Sequence, residues 1–258
     1  MRKTSQKISD YMGKILAIGG GNKRTSLNTI DKELLVLAKK NRPKVLFIPT
    51  AGGDSNRYIV ERLRGLERKL NLTLQDVDVL YLRKTKLKLN EIKNKIAAAD
   101  IIYVGDGNTL KMMNLWRQKG VDRLLLQAYK KGKVLSGSSA GAICWFKYGN
   151  SDSRKFKNPK AKLIRVKGLG IINALCCPHY DTEKDRKPQL KTMMRKSPTV
   201  AIALDECCAL ELLNDKYRIV ASKMSANAYK IYWKNNIYHQ LLLEKSKAFK
   251  PLKELLTK

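Results

Sequence analysis

Few folds can accommodate the stretch from Lys133 to Cys144. Val134-Leu135 opens a short apolar strand, small residues follow without interruption, and Ala142-Ile143-Cys144-Trp145-Phe146 reads as the start of a buried helix. Gly137-Ser138-Ser139-Ala140-Gly141 fits the pattern G-x-S-x-G, in which a sharp strand-to-helix turn holds a serine hydroxyl at the end of a sheet. A turn that tight has no room for a Cβ two residues before or after the serine, hence a glycine at each place. A helix beginning at Ala140 aims backbone N–H groups and a positive dipole end at whatever Ser139 attacks. A plain Gly/Ser loop holding a phosphate is the competing reading; the flanking strand and helix favour the elbow.

The rest of the chain supplies a sheet for that elbow. Apolar strand-sized runs lie at Lys14 to Ile18, Lys44 to Ile48, Val77 to Leu82 and Ile101 to Val104. Between them, helical spacing covers Thr25 to Lys40, Arg57 to Leu70 and Asn90 to Ala99, and helices follow Thr109 and run around Leu124 to Lys130. Near-continuous apolar strands alternating with helices predict a mostly parallel sheet covered on both faces. Ligands of such sheets sit beyond the strand C-termini. Gly19, Pro49, Gly105 and Ser139 all follow strands directly, so they can share one rim. Gly19-Gly20-Gly21 lacks the spacing of either nucleotide fingerprint and reads as a tight turn there. Later residues predict a strand into Leu175-Cys176-Cys177, a helix over Lys184 to Lys196, and a strand at Val200 to Leu204. Hairpins follow around Asn214-Asp215 and Asn235-Asn236, an antiparallel edge near the C-terminus. Residues 1–12 read as a polar arm and 13–258 as a single α/β domain.

The net charge of +31 raises nucleic acid as a partner. The lysines and arginines are spread over most of the chain with no nucleic-acid motif beside them, so a solvated basic surface is preferred and nucleic acid ranks below it. Arg154 to Lys167 is the densest run, with seven basic residues and no acidic one; it can rim a cleft and attract acidic substrates. The five cysteines, two pairs of them adjacent, suit neither a zinc site nor a disulfide framework. Reduced thiols, no signal peptide and no membrane span make the expected location cytoplasmic. Oligomeric state is left open.

A serine hydroxyl needs a base to take its proton, and the chain has two histidines. His239 lies among bulky residues of the terminal hairpin and reads as packing. His179 follows a strand and Pro178, and is the candidate base. A carboxylate should orient its imidazole; Asp152, Asp181, Glu183, Asp205, Glu206 and Glu211 are all candidates, and spacing alone does not choose among them.

Four segments together resemble the peptidase E (α-aspartyl dipeptidase) and cyanophycinase family: Val104-Gly105-Asp106-Gly107-Asn108-Thr109, Gly137-Ser138-Ser139-Ala140-Gly141-Ala142, Cys177-Pro178-His179-Tyr180, and Ile202-Ala203-Leu204-Asp205-Glu206. They occur in the family's order, and the resemblance covers about residues 13–235. The resemblance implies a three-layer α/β/α fold whose sheet is flavodoxin-like, as in class I glutamine amidotransferases. It implies Ser139 as nucleophile, His179 as base then acid, Glu206 as orienter, and the N–H groups of Gly107 and Ala140 as oxyanion hole. Asp152 would support activity, while Asn108 and Arg186 would bind substrate, Arg186 by reading an aspartyl carboxylate. The implied activity is hydrolysis of small aspartyl peptides without metal or organic cofactor. Alternatives are a cyanophycinase-like β-aspartyl peptidase and another hydrolase on the same elbow. Asp106 stands where the family's triplet has glycine, and Cys207-Cys208 stand where small residues often follow the glutamate. Both departures bear on substrate choice.

Overall fold

The apolar strands build the centre of the molecule in the computed structural model, which describes residues 13–21 and 28–258. The polar arm and the first residues of the helix expected from Thr25 lie outside the described residues. The chain runs β1 (Lys14–Ile18), α1 (Asn28–Ala38), β2 (Val45–Ile48), α2 (Asn56–Leu70), β3 (Val77–Val79), α3 (Leu89–Ala98) and β4 (Ile101–Val104). It continues through α4 (Thr109–Lys119), α5 (Val121–Lys130), β5 (Val134–Ser138), α6 (Ala140–Ile143), β6 (Phe146–Ser151), β7 (Ile164–Lys167) and β8 (Ile172–Cys177). Last come α7 (Arg186–Met194), β9 (Ala201–Leu204), β10 (Cys208–Leu213), β11 (Lys216–Ala221), β12 (Ala228–Lys234), β13 (Ile237–Leu243), β14 (Lys250–Pro251) and α8 (Leu252–Leu256).

The described strands form two sheets, where the hydrophobic pattern predicts one. The first has the order β14-β11-β10-β1-β5-β4-β2-β3, the second β13-β12-β9-β8-β6-β7. Both mix parallel and antiparallel strands: the first is antiparallel at one edge only, the second at both. In the first, β1, β5, β4, β2 and β3 run parallel, and β10 and β11 add antiparallel beside β1. In the second, β6, β8 and β9 run parallel, flanked by antiparallel β7 and by the β12–β13 hairpin. The split follows from pairing: β10 occupies the edge of β1, so β9 pairs with β8 instead. One continuous apolar core takes Ile15 and Ile102 from the first sheet and Phe146, Ile172 and Ile202 from the second.

Two expectations fail locally. The helix after the elbow stops at Ile143, a single turn, because Phe146 onward pairs on both sides, with β7 and with β8. Gly149 and Asn150 are poor helix formers in any case. The third strand ends at Val79 rather than Leu82. Beyond it, the buried Asp54 carboxylate takes the N–H groups of Leu82 and Arg83 at 2.8 and 2.7 Å, replacing the ladder.

Candidate active site

Parallel pairing brings the C-terminal ends of β1, β4 and β5 to one rim, with Ile18 opposite Ser138 and Val104 opposite Gly137. At the end of β5, Ser139 takes φ 55° and ψ −108°, a conformation that costs energy for a residue with a Cβ. Its half-buried position leaves the side chain within reach of solvent. The glycines around it are sterically required. A Cβ on Gly137 would come 2.5 Å from the Val104 carbonyl oxygen, and one on Gly141 would come 2.1 Å from the same atom. The elbow is therefore wedged against β4.

The second sheet delivers its own strand ends to the same place. β8 and β9 are parallel neighbours, so His179 and Glu206, each just past its strand, meet: His179 Nδ1 lies 3.2 Å from Glu206 Oε1, both side chains about one-fifth exposed. The end of β1 joins the two halves. Ser139 N–H donates to the Ile18 carbonyl at 3.1 Å, and His179 N–H donates to the Gly19 carbonyl at 3.0 Å. Gly20, at φ 153°, lies so close under the imidazole that a Cβ there would be 2.5 Å from two ring atoms and 3.2 Å from Glu206 Cγ. The Gly-rich turn after β1 is thus the floor of the site.

Glu206 is gripped by Asp181, itself one of the candidate carboxylates, and by Thr182, which nothing in the sequence singles out. The Glu206 N–H donates to Asp181 Oδ1 at 2.9 Å, and the Thr182 hydroxyl reaches Glu206 Oε1 at 3.4 Å. Among the other carboxylates considered, Asp205 accepts the Asn227 N–H at 2.9 Å, and burial pushes its carboxyl above the usual range. Glu211 is buried on β10 against Arg218, which also holds Glu33. Glu183 pairs with Arg186. Asp152 is half-buried, and its carbonyl takes the Lys155 N–H.

The loop after β4 is pinned from several sides. Gly105 N–H donates to Ile48 O at 3.1 Å, Asp106 N–H to the Tyr58 hydroxyl at 2.8 Å, and Asn108 N–H to Ala51 O at 2.9 Å. Among the described residues the Gly107 and Ala140 N–H groups meet no acceptor, as an oxyanion hole requires. Gly107 has φ 133°, and a Cβ there would strike Ala51 O at 2.3 Å. The Asp106 carboxylate pairs with Arg62 on α2, whose guanidinium lies over the Tyr58 ring. Burial, reinforced by Asp106, raises the Tyr58 hydroxyl far above its ordinary range, so it stays protonated. Tyr58 and Arg62 share one helix face at four-residue spacing, but nothing in that spacing names the loop they meet.

Two expected substrate contacts are already occupied. Asn108 caps α4, accepting the Lys111 N–H at 3.0 Å, and its amide donates to Ser153 O at 2.9 Å. That bond ties the end of β6, and with it Asp152, to the Gly107 loop. Arg186 is 1% exposed; Nε donates to Glu183 at 2.8 Å and Nη1 to Asn150 O at 2.5 Å and Asn150 Oδ1 at 3.1 Å. No group of three or more His, Cys, Asp or Glu among the described residues is placed to hold a metal ion, and no described helix is long and apolar enough to cross a membrane.

A strained serine on a strand-to-helix turn, with an imidazole–carboxylate pair at the same rim, is the kind of geometry hydrolases use when they attack through a side-chain hydroxyl. The chain belongs to peptidase family S51, whose sequence profile matches residues 15–220. It is 34% identical to the uncharacterized peptidase YgaJ of Bacillus subtilis over 226 residues, 85% of this chain and 92% of that one. It is 27% identical to a peptidase E of Shewanella denitrificans, over 74% of this chain and 80% of that one. A crystal structure of a peptidase from an acI-B1 Actinobacterium superposes with TM-score 0.65 at 19% identity, covering 94% of this chain and 98% of that one. A putative peptidase E from Listeria monocytogenes gives 0.62 at 20% identity, covering 82% and 100%. The fold is thus a mixed α/β peptidase fold.

Proposed function

We propose that this peptidase is serine-type and hydrolyses small aspartyl peptides through an acyl-enzyme. Ser139 Oγ attacks the scissile carbonyl while His179 Nε2 takes its proton; Nδ1 is turned to Glu206, which holds the tautomer and stabilises the imidazolium. The Gly107 and Ala140 N–H groups receive the oxyanion, each worth about 3 kcal/mol of transition-state stabilisation. His179 then protonates the leaving amine, the C–N bond breaks, and water enters by the same proton relay in reverse to free the acid and Ser139. No step calls for a metal or organic cofactor. The catalytic unit is residues 13–258, read as one three-layer domain with a flavodoxin-like sheet, and the five free, buried thiols fit a reducing cytoplasm.

The observation that carries this reading is the paired anchoring of Ser139 and His179 on the adjacent carbonyls of Ile18 and Gly19, with Glu206 on the imidazole. Asp-X specificity rests on Arg186. To read a substrate carboxylate, its guanidinium must exchange Glu183 for the substrate; this prior engagement favours, as the second reading, a β-aspartyl or other substrate on the same machinery. Hydrolysis of Asp-Leu, β-Asp-Arg and p-nitrophenyl esters by wild type beside Ser139→Ala, His179→Ala and Glu206→Ala tests both. Loss of at least about 10³-fold in kcat/KM is expected for the serine variant, with Asp-Leu the preferred substrate. Wild-type turnover by Ser139→Ala would sink the mechanism; preference for β-Asp-Arg or the ester would move the specificity and leave the mechanism standing.

A further inference from the structure

The dense basic run noted in the sequence acquires a partner element in the fold. Residues 155–165 lie along α7 in register with its turns. Lys155 Nζ meets Asp185 Oδ2 at 2.5 Å, Leu163 N–H donates to Gln189 Oε1 at 2.7 Å, and Arg165 Nη2 donates to Met193 O at 2.8 Å. The helix partners are spaced by four, so one stripe of α7 is given to this strap. A second stripe, Lys187, Lys191 and Arg195, points its cations outward over Tyr180, Tyr238 and Trp233 at 5.3, 5.1 and 5.7 Å.

The charge here departs from the background of the chain. Residues 154–167 and 186–204 hold twelve Lys and Arg and no Asp or Glu, whereas the remaining residues hold 41 and 22. Of the carboxylates beside the face, Asp185 is paired with Lys155 and Glu183 with Arg186. Ten of the twelve cations are exposed. Such a density of one sign raises the local concentration of a polyanion and its rate of arrival. The face also begins at the site: the strap leaves β6 where Ser153 holds Asn108, and α7 starts seven residues after His179.

We propose that this face binds an acidic peptide segment, so that the peptidase takes acidic chains whose carboxylates extend beyond the residues at the scissile bond. The inference rests on the peptidase reading for the role of the site, and on the charge and register of strap and helix for the binding. An acidic peptide is favoured over single-stranded nucleic acid because bases need open aromatic faces to stack on. Here Tyr180, Tyr238 and Trp233 already lie beneath cations, and Phe156, 58% exposed, stands alone in the strap.

The test measures binding of a fluorescein-labelled twelve-residue Glu-rich peptide to full-length Ser139→Ala by anisotropy, between 50 and 300 mM salt. The expected results are a Kd that rises at least about 10-fold over that range and a further rise of about 10-fold in Lys160→Glu/Lys187→Glu/Lys191→Glu. The same charge change at Lys93, Arg123 and Lys131, on and after the helices of the first sheet, should move Kd by less than about 3-fold. Thermal melts establish that both triple variants fold; a variant that does not is replaced by the corresponding Lys→Gln triple. No peptide binding at 50 mM salt, or equal weakening by the two triples, would overturn the proposal. So would tighter binding of a twelve-nucleotide oligothymidylate than of the peptide. Labelling of otherwise wild-type protein at Ser139 by a serine-directed phosphonate is read separately: its failure would remove the nucleophile and leave the binding result to stand by itself.

Discussion

Replacing Gly141 by alanine should be among the most damaging single-methyl additions in this chain, while the same change at Gly65 should stabilise it. A Cβ at position 141 would lie 2.1 Å from Val104 O, 2.7 Å from Val104 C and 3.1 Å from Val104 Cβ. Ordinary van der Waals contact begins near 3.4 Å, so elbow and strand must separate by more than an ångström. The obstacle is backbone of β4, hydrogen-bonded to β2 on one side and β5 on the other, so no rotamer change relieves it. Overpacking costs about 1–3 kcal/mol, and a clash with rigid backbone belongs at the top of that range. At about 2–4 °C per kcal/mol for a chain of this size, Tm should fall by roughly 6–12 °C. At Gly65, inside α2, nothing lies within 4 Å of the added methyl group. There alanine gains roughly 0.5–1 kcal/mol of helix propensity, a rise of about 1–4 °C. Thermal melts of the two variants beside wild type, with urea midpoints as a check on irreversible unfolding, read both effects. A Gly141→Ala protein melting within 2 °C of wild type would refute the claim that the elbow is wedged against β4.

The Tyr58 hydroxyl accepts the Asp106 N–H beside the candidate oxyanion donor, so Tyr58→Phe should lower kcat about 10-fold with KM little changed; an equal rise in KM with kcat intact would show that the hydroxyl serves binding instead. Arg42 first, then Thr73, hold the Asp76 carboxyl down to about 2, below its ordinary value. The stability it contributes is therefore fully present above about pH 4 and lost as pH falls toward 2, so urea midpoints of Asp76→Asn should fall less steeply than wild type in that window, and parallel curves would contradict the assignment. Asp181→Ala should leave the thermal midpoint within a few degrees yet reduce kcat by about 10-fold, because the Glu206 backbone loses its anchor. Steady-state kinetics at saturating dipeptide checks this, and an unchanged kcat would remove Asp181 from the positioning of Glu206.

How much of the site can be read from the chain depends on whether its cause is local. The elbow is legible because one backbone contact forbids a Cβ at both Gly137 and Gly141, and that prohibition writes itself into residue type. The strands β1, β2, β4 and β9 are legible because burial on both faces demands unbroken apolar runs. β7 carried a period-two signal, Ile164-Arg165-Val166-Lys167, that the surrounding lysines masked. The sequence places Phe146, the first residue of β6, in a helix start because Trp145 and Phe146 are apolar under either reading, and only pairing with β7 and β8 decides between them. The choice among six carboxylates is the sharpest case. Glu206 and Glu211 are five residues apart, the first just past β9 and the second on β10, yet β9 runs parallel to β8 and ends beside His179, while β10 runs antiparallel to β1 and carries Glu211 away to Arg218. No property of the segment around either glutamate encodes that difference. It arises only when β10 takes the edge of β1, which is the same event that divides the strands into two sheets and puts the serine on one and the imidazole–carboxylate pair on the other.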